Sequence, residues 1–426
     1  MARLARQLAR DGWPVLFVTG PAAGGEPFRP DGVRVVEVGR AAPAPASTAA
    51  ASAAPNGASA TPRSRPAPLW RRAAREVAFV PDPQIFWIPA ARRATLAALG
   101  GRRPAAVFAS APPFSIFLLG RRLARRTGAP LVLDYRDVWT THPWWPIPAW
   151  RRPIERALER RAQRSAGLVI ANHDRMRDLL TSGRPGLADR ILVLPNGYDP
   201  ADWGPPVRPA WTPGGRFEIA YAGTFYSATR HDAGDREPLS VRRPAGLFRA
   251  VRRLLDEHRF DAGGVRLRFV GARPGTPDAA MVRACAEECG VTAHVEVLPR
   301  QPIARLAPLL RESHLLVNVV YYTEAQVTQK LYEYMHLEIP VLSLIRESAP
   351  NAALAERAGV GPVVDPADPD AIAAAIAALL DAYRAGRSPI RPDRAFIDQF
   401  DVRRQTALLG ARLRALAAAK PPAAER

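Results

Sequence analysis

Lysine is almost absent from this chain. Only Lys330 and Lys420 occur, and the other 58 of its 60 basic residues are Arg. A compact ammonium and a planar guanidinium are not interchangeable, so a lone Lys in an Arg-writing sequence marks a position to watch. Cysteine is nearly as scarce, with Cys285 and Cys289 in CAEEC as the two examples. No further Cys or His pair with zinc-finger spacing accompanies them, which argues against a metal site and for idle thiols in a reducing compartment. Long apolar runs are missing too. Without a stretch of about 18 apolar residues, no spanning helix is expected. The opening MARLARQLARDGWPVLFVTG is basic and then apolar, but Asp11 and Gly12 interrupt it, so it reads as a helix and a strand rather than a secretory leader. Acidic residues are outnumbered, 40 against 60 basic ones, giving a net charge of +20. That surplus points to anionic partners: nucleic acid, acidic headgroups or phosphorylated substrates. The arginines are spread along the chain and no aromatic-interleaved basic module is present, so nucleic acid is not favoured.

What is present is an alternating α/β pattern. With 426 residues, 47% of them hydrophobic, two domains are expected. Residues 1–12 read as a helix, and 15–19 and 33–38 as strands. Residues 41–68 are Ala, Pro, Ser and Thr without a large apolar side chain, which makes them a flexible insertion. Strands are expected over 105–109, 131–134, 168–171 and 191–194, with helices over 116–127 and 153–165. Strands alternating with helices argue for parallel sheets covered on both faces. The segment THPWWPIPAWRR carries Trp139, Trp144, Trp145 and Trp150, and the helix after it places Arg152, Arg156, Arg160 and Arg164 on helical spacing. Aromatics beside a basic helix suit a membrane interface; a solvated helix next to a packed loop fits equally.

The Pro-rich run 200–213 reads as a linker, after which the pattern restarts. Strands are expected over 217–222, 267–270, 295–298, 315–320, 341–344 and 363–364, with helices over 247–258, 303–311 and 370–385. DPADPD before the last of these is a turn and helix N-cap rather than a metal-binding carboxylate pair. Residues 396–416 close the chain as a long helix.

Lys330 lies in QVTQKLYEYMHLEIPVLSL. Glu333, three residues on, shares its helix face. A surface ion pair and the edge of a nucleotide site are both compatible with that spacing. Other features precede it in order. Gly223 and Gly271 each follow a strand, where a missing side chain lets a ligand approach the backbone. Arg242 and Arg243 precede a helix and are placed to clamp phosphate.

Taken in series, SAPPFS (110–115), DYRDVW (134–139), PNGYDP (195–200), YAGTFY (221–226), RRPAGLFRA (242–250), RFVG (268–271), QKLYEYM (329–335), IPVLSL (339–344) and VGPVVDPADPDAI (360–372) resemble a family 4 glycosyltransferase. PDPQIFW (81–87) matches one subgroup. The resemblance implies a GT-B fold, with two doubly wound Rossmann-like domains facing across a cleft. Its domains would be 1–200 on the acceptor side, a linker at 201–213, a nucleotide-sugar domain at 214–395, and a C-terminal helix and tail at 396–426 placed to cross back to the first domain. It implies retention of anomeric configuration, no metal and no cofactor. Carried over residue by residue, Lys330 with Arg243 or Arg242 neutralises the donor diphosphate, and Glu333 holds the ribose. Gly223, Thr224 and Gly271 line the donor pocket, Asn196 and Gly197 mark the hinge, and Ser110, Arg136 and Asp137 face the acceptor. The implied partners are a nucleotide-sugar and a lipid-linked or glycan acceptor, at the inner face of the cell membrane.

This sequence departs from the family pattern in three places. It begins at the first helix, after the strand and Gly-rich loop that usually open the fold. Ala325 stands where many members carry a first Glu, with Glu324 one residue off. An insertion at 227–241 leaves the phosphate arginine open among Arg230, Arg242 and Arg243. Sugar-nucleotide epimerase and inactive scaffold are the rival readings on the same fold.

Overall fold

The computed structural model describes residues 1–21, 29–39, 78–141, 147–207, 209, 214–223, 243–261, 263–271, 276–320, 327–346 and 349–419. The expected insertion at 41–68 therefore lies outside the described residues, as do Trp144 and Trp145. The chain divides into two compact units, Met1–Pro195 with Gln405–Arg426, and Asn196–Arg404.

The first unit begins with α1 (Ala2–Arg10), β1 (Val15–Thr19) and β2 (Val33–Glu37). β1 and β2 pair in parallel as a separate two-stranded sheet. A 3-10 turn over Pro83–Trp87 leads into α2 (Ile88–Leu99). Four parallel strands follow in the order β3 (Val107–Ala111), β4 (Leu131–Tyr135), β5 (Ala166–Ala171) and β6 (Ile191–Val193). Between them run α3 (Ser115–Thr127), α4 (Arg152–Ser165), α5 (Asp174–Thr181) and the one-turn α6 (Pro185–Ala188). β3 lies two residues later than its sequence reading. Asp82 caps both the 3-10 turn and α3, accepting from Gln84 N at 3.1 Å and from Ser115 N at 2.8 Å. β4 is buried along its whole length, as a central strand of a covered parallel sheet should be.

α4 turns a polar face inward. Glu155, Glu159 and Gln163 are all buried. Glu155 accepts from Trp139 Nε1 at 2.7 Å, and Glu159 from Thr140 Oγ1 at 2.5 Å. Gln163 donates to Tyr135 Oη at 3.0 Å. Trp139 is itself buried and stacks on Phe114 with ring centroids 5.0 Å apart. Of the two readings of the Trp-rich segment, Trp139 fits the packed loop, with its indole N–H held by Glu155.

The second unit opens with α7 (Pro200–Trp203), capped by Asp199 and with Trp203 buried. The start of the expected linker is thus a packed helix turn, because Trp203 has a core to fill. Six parallel strands follow, β7 (Phe217–Ala222), β8 (Val265–Val270), β9 (Val295–Leu298), β10 (Leu315–Val319), β11 (Val341–Leu344) and β12 (Val363–Val364). Their order across the sheet is β12-β11-β10-β7-β8-β9. The connecting helices are α8 (Ala245–Asp256), α9 (Pro277–Glu288), α10 (Ile303–Arg311), α11 (Gln329–Leu337), α12 (Pro350–Ala358) and α13 (Pro369–Arg384). The sheet separates two cores. Phe217, Ile219 and Tyr221 belong to one with α8 and α13, while Ala220 and Ala222 belong to the other with α11. That alternation is the period of two of a strand buried on both sides. The short α14 (Arg394–Ile397) precedes α15 (Val402–Ala418), in which Leu409 and Leu413 are buried.

Candidate donor site at the strand ends

Sheet order places the site of the second unit. From β7 the chain moves to β8 and β9 on one side, then returns to β10 on the other. Such a switch point leaves a crevice beyond the carboxyl ends of the strands, where ligands of doubly wound sheets bind. Gly223 follows β7 and Gly271 follows β8, while Lys330 sits in the first turn of α11, after β10. Gly223 N donates to Val270 O at 2.7 Å, continuing the ladder to the strand tips.

The two glycines are required. Gly223 has φ of +154° and Gly271 of +131°. A Cβ on Gly271 would fall 2.7 Å from Gly223 O, and one on Gly223 would fall 2.5 Å from Lys330 Nζ. Lys330 Nζ donates to Tyr221 Oη at 3.1 Å and stands 4.4 Å from the centroid of the Tyr221 ring. Burial pushes the ammonium down to about 8, against a smaller upward pull from Glu333. Among the described residues no carboxylate is ion-paired with it. A surface ion pair is not what forms here. The cation is held over a tyrosine at the strand ends, under-compensated in charge, and a bound anion there would relieve the cost of keeping it protonated.

Several contacts fix α11. Thr328 N donates to Asn351 Oδ1 at 3.1 Å, and Thr328 Oγ1 donates to Asn318 Oδ1 at 3.1 Å. Tyr334 Oη accepts from Ala222 N at 3.1 Å, tying the helix to β7. Glu333 lies one turn beyond Lys330, 8% exposed, and accepts from Gln329 Nε2 at 3.3 Å. Tyr221, Asn318, Thr328 and Asn351 carried no role in the sequence reading. Tyr221 had a signal, two residues before Gly223 in YAGTFY; the other three are brought together only by the fold.

Arg243 does not join Lys330. Its guanidinium donates to Glu288 at the end of α9, at 3.1 Å, beside Cys285. Its place just before α8 directs it toward that helix end. Arg242, Thr224, Arg230, Glu324 and Ala325 lie outside the described residues. Asn196 and Gly197 stand at the first positions of the second unit, and Gly197 O accepts from Gln329 Nε2 at 2.5 Å. A cavity of about 440 Å³ in this unit is lined by Tyr198, His336 and Arg394. His336 is at the opposite end of α11 from Lys330, so that cavity is separate from the strand-end site.

In the first unit, Ser110 and Arg136 converge on a residue without a predicted role. Asp134, fully buried at the end of β4, accepts from Ser110 Oγ at 2.6 Å and from Arg136 Nε and Nη2 at 2.9 and 2.5 Å. The bidentate pair is the strong form of such a contact. Asp137, half-buried, follows in the same turn. Among the described residues no His, Cys, Asp and Glu cluster suited to a metal ion is found.

Two α/β units with parallel sheets, one with two glycines and a lysine at its strand-end switch point, define a doubly wound plan that comparison with known proteins makes specific. Residues 1–197 match the glycosyl transferase 4-like domain, and residues 241–382 match the glycosyl transferases group 1 domain. No curated protein matches the chain. Among solved structures, sucrose-phosphate synthase from Thermosynechococcus elongatus is similar, with a TM-score of 0.65, 17% identity, and coverage of 98% of this chain and 92% of that one. A glycosyltransferase from Rickettsia africae gives a TM-score of 0.61 at 11% identity, covering 98% and 94%. HepE of Anabaena, in complex with UDP and glucose, gives 0.53 at 16% identity, covering 78% and 82%. At these identities the structural likeness speaks for the fold, which is GT-B. The chain belongs to the family 4 glycosyltransferases.

Proposed function

We propose that this glycosyltransferase moves a hexose from a nucleoside diphosphate to a lipid-linked or polysaccharide acceptor, with retention of anomeric configuration, at the inner face of the cell membrane. The observation that carries the donor half is Lys330: a half-buried, under-compensated cation beside two obligatory glycines at a sheet switch point. Bound there, a diphosphate gains a point charge and close backbone approach. Its departure from the sugar is eased because the developing negative charge is already met. The departing phosphate oxygen is then placed to take the acceptor proton, which removes the need for a protein base. Glu333, one helical turn on, is assigned to the ribose hydroxyls. HepE, similar in fold, has been solved with UDP and with UDP-glucose, which supports a uridine nucleotide as the first donor to try. Ser110, Arg136 and Asp137 are assigned to the acceptor side. Neither metal nor cofactor is part of the reading.

Calorimetric titration with UDP, GDP and their glucose conjugates tests it. Lys330→Ala should weaken nucleotide diphosphate binding about tenfold or more, the loss of one charge-assisted contact. Unchanged affinity would remove Lys330 from the site.

A further inference from the structure

Trp150 leads into α4, and Ile154 stands in its first turn; they are 45% and 46% exposed. Phe86, in the 3-10 turn before α2, is 57% exposed. These are three of the six large apolar side chains exposed among the described residues. Arg151, between Trp150 and α4, donates to Pro81 O at 2.7 Å, and Phe79 packs edge-on against Phe86 at 5.7 Å. The segment carrying Phe86 is thus fastened to the start of α4.

Around Ile154 the exposed face of α4 is cationic, with Arg152, Arg156 and Arg160 all exposed. Arg161, two turns after Ile154, shares its face. α3 packs beside α4, and Arg121 Nε donates to Ser165 Oγ at 3.0 Å. Burial, then the positive charges of Arg125, Arg161 and Arg122, hold the Arg121 guanidinium below its usual range. The carboxylates of α4 offer no relief, since Glu155 and Glu159 face inward to Trp139 and Thr140. Among the described residues, none of these four arginines has an ion-pair partner. Like charges gathered without counter-charge are destabilising in the free protein. An external anion converts that repulsion into binding energy.

We infer that the joined outer face of α3 and α4 is a docking surface for an anionic lipid bilayer, with Arg121, Arg125 and Arg161 meeting headgroups and Phe86, Trp150 and Ile154 entering the interface. The juxtaposition selects a bilayer over a soluble polyanion. A polyanion matches the arginines alone, whereas a bilayer also takes up the exposed aromatic and aliphatic side chains. The surface gives a location to the membrane association proposed above, and it stands on residues other than those of the donor site.

The experiment is co-sedimentation of the full chain with vesicles of phosphatidylcholine alone, or with about one third phosphatidylglycerol, at low and high salt. Binding is expected to the anionic vesicles only, and to fall with salt. Arg125→Glu with Arg161→Glu should reduce it at least about tenfold, while Arg125→Lys with Arg161→Lys retains it, since the surface potential reads charge. Trp150→Ala with Ile154→Ser should reduce it several-fold without changing its salt dependence. Equal binding to both vesicle types, or charge-reversed protein that binds as well as the parent, overturns the inference. So does a Trp150/Ile154 variant with undiminished binding, which would reassign the arginines to a soluble polyanion. UDP titration of the same variants keeps the two proposals apart: unchanged nucleotide affinity with lost vesicle binding bears on this surface alone.

Discussion

At the scale of single residues, Lys330 concentrates the chemistry. Its ammonium, with a pKa of about 8 in the folded chain, lies below the ordinary value of 10.5. The sign follows. Below pH 8 both folded and unfolded chains carry the proton, and the folded state bears the full cost of a buried charge. Between about 8 and 10.5 the unfolded chain binds more protons, so this group's contribution to stability rises with pH. Donor binding runs the other way, because a diphosphate prefers the charged form. UDP affinity should hold up to neutral pH and fall as pH passes through 8. Lys330→Arg, which stays charged, should show no fall in that window whatever its absolute affinity. The same pH profile in parent and variant would assign the transition to another group. With only two lysines in the chain, the Nζ titration can also be followed directly by NMR of the reductively methylated protein. Gly271 offers a steric test at the same place. Gly271→Ala forces a Cβ toward Gly223 O in a φ range unfavourable to side chains. A loss of about 1–3 kcal/mol is expected in denaturant unfolding, together with lost nucleotide binding.

At the scale of elements, α4 and α11 show how far pattern reading reaches. Both were legible as helices, α4 to within a residue of its start and at its end. Which face of α4 was inside was not legible, because both faces are charged: Glu155, Glu159 and Gln163 inward, arginines outward. The partners that make the inward face acceptable, Tyr135, Trp139 and Arg184, lie well outside the helix. Hydrophobic periodicity carries no record of such pairings. Glu155→Ala should therefore be far costlier than a surface change. It removes the acceptor of both the Trp139 N–H and Arg151 Nε, and about 3 kcal/mol is expected by chemical denaturation. A near-neutral effect would mean that water takes over both donors. For α11, the helix and its Lys were readable. Its anchoring through Thr328 to Asn318 and Asn351, from β10 and α12, was not, because those contacts join separate strand-and-helix units.

At the scale of the whole molecule, the chain is two units, and α15 links their sequences. Its residues from Gln405 onward belong to the first unit, with Leu409 and Leu413 buried and Gln405 Nε2 donating to Pro195 O at 2.9 Å. Arg414 stands over the Trp13 ring at 5.6 Å. Truncation after Arg404 should then weaken the first unit selectively. Scanning calorimetry is expected to show one transition lowered by several degrees, the size expected for loss of two buried leucines, with the other retained. An equal shift of both transitions would show that α15 supports the two units alike.

The sequence by itself determined the class of fold and the family, because alternating strands and helices and an ordered series of short motifs are local patterns that survive without coordinates. It also singled out Lys330 through composition alone, and the strand-end glycines through their position after apolar runs. Tertiary structure decided the rest. It separated Arg243 from Lys330 by giving it Glu288, and it made Asp134 the meeting point of Ser110 and Arg136. It buried Trp139 while leaving Trp150 exposed. Each of these turns on which distant group a side chain meets. Charge and hydrogen-bond pairing act through space at a few ångströms, whereas the sequence records only distance along the chain.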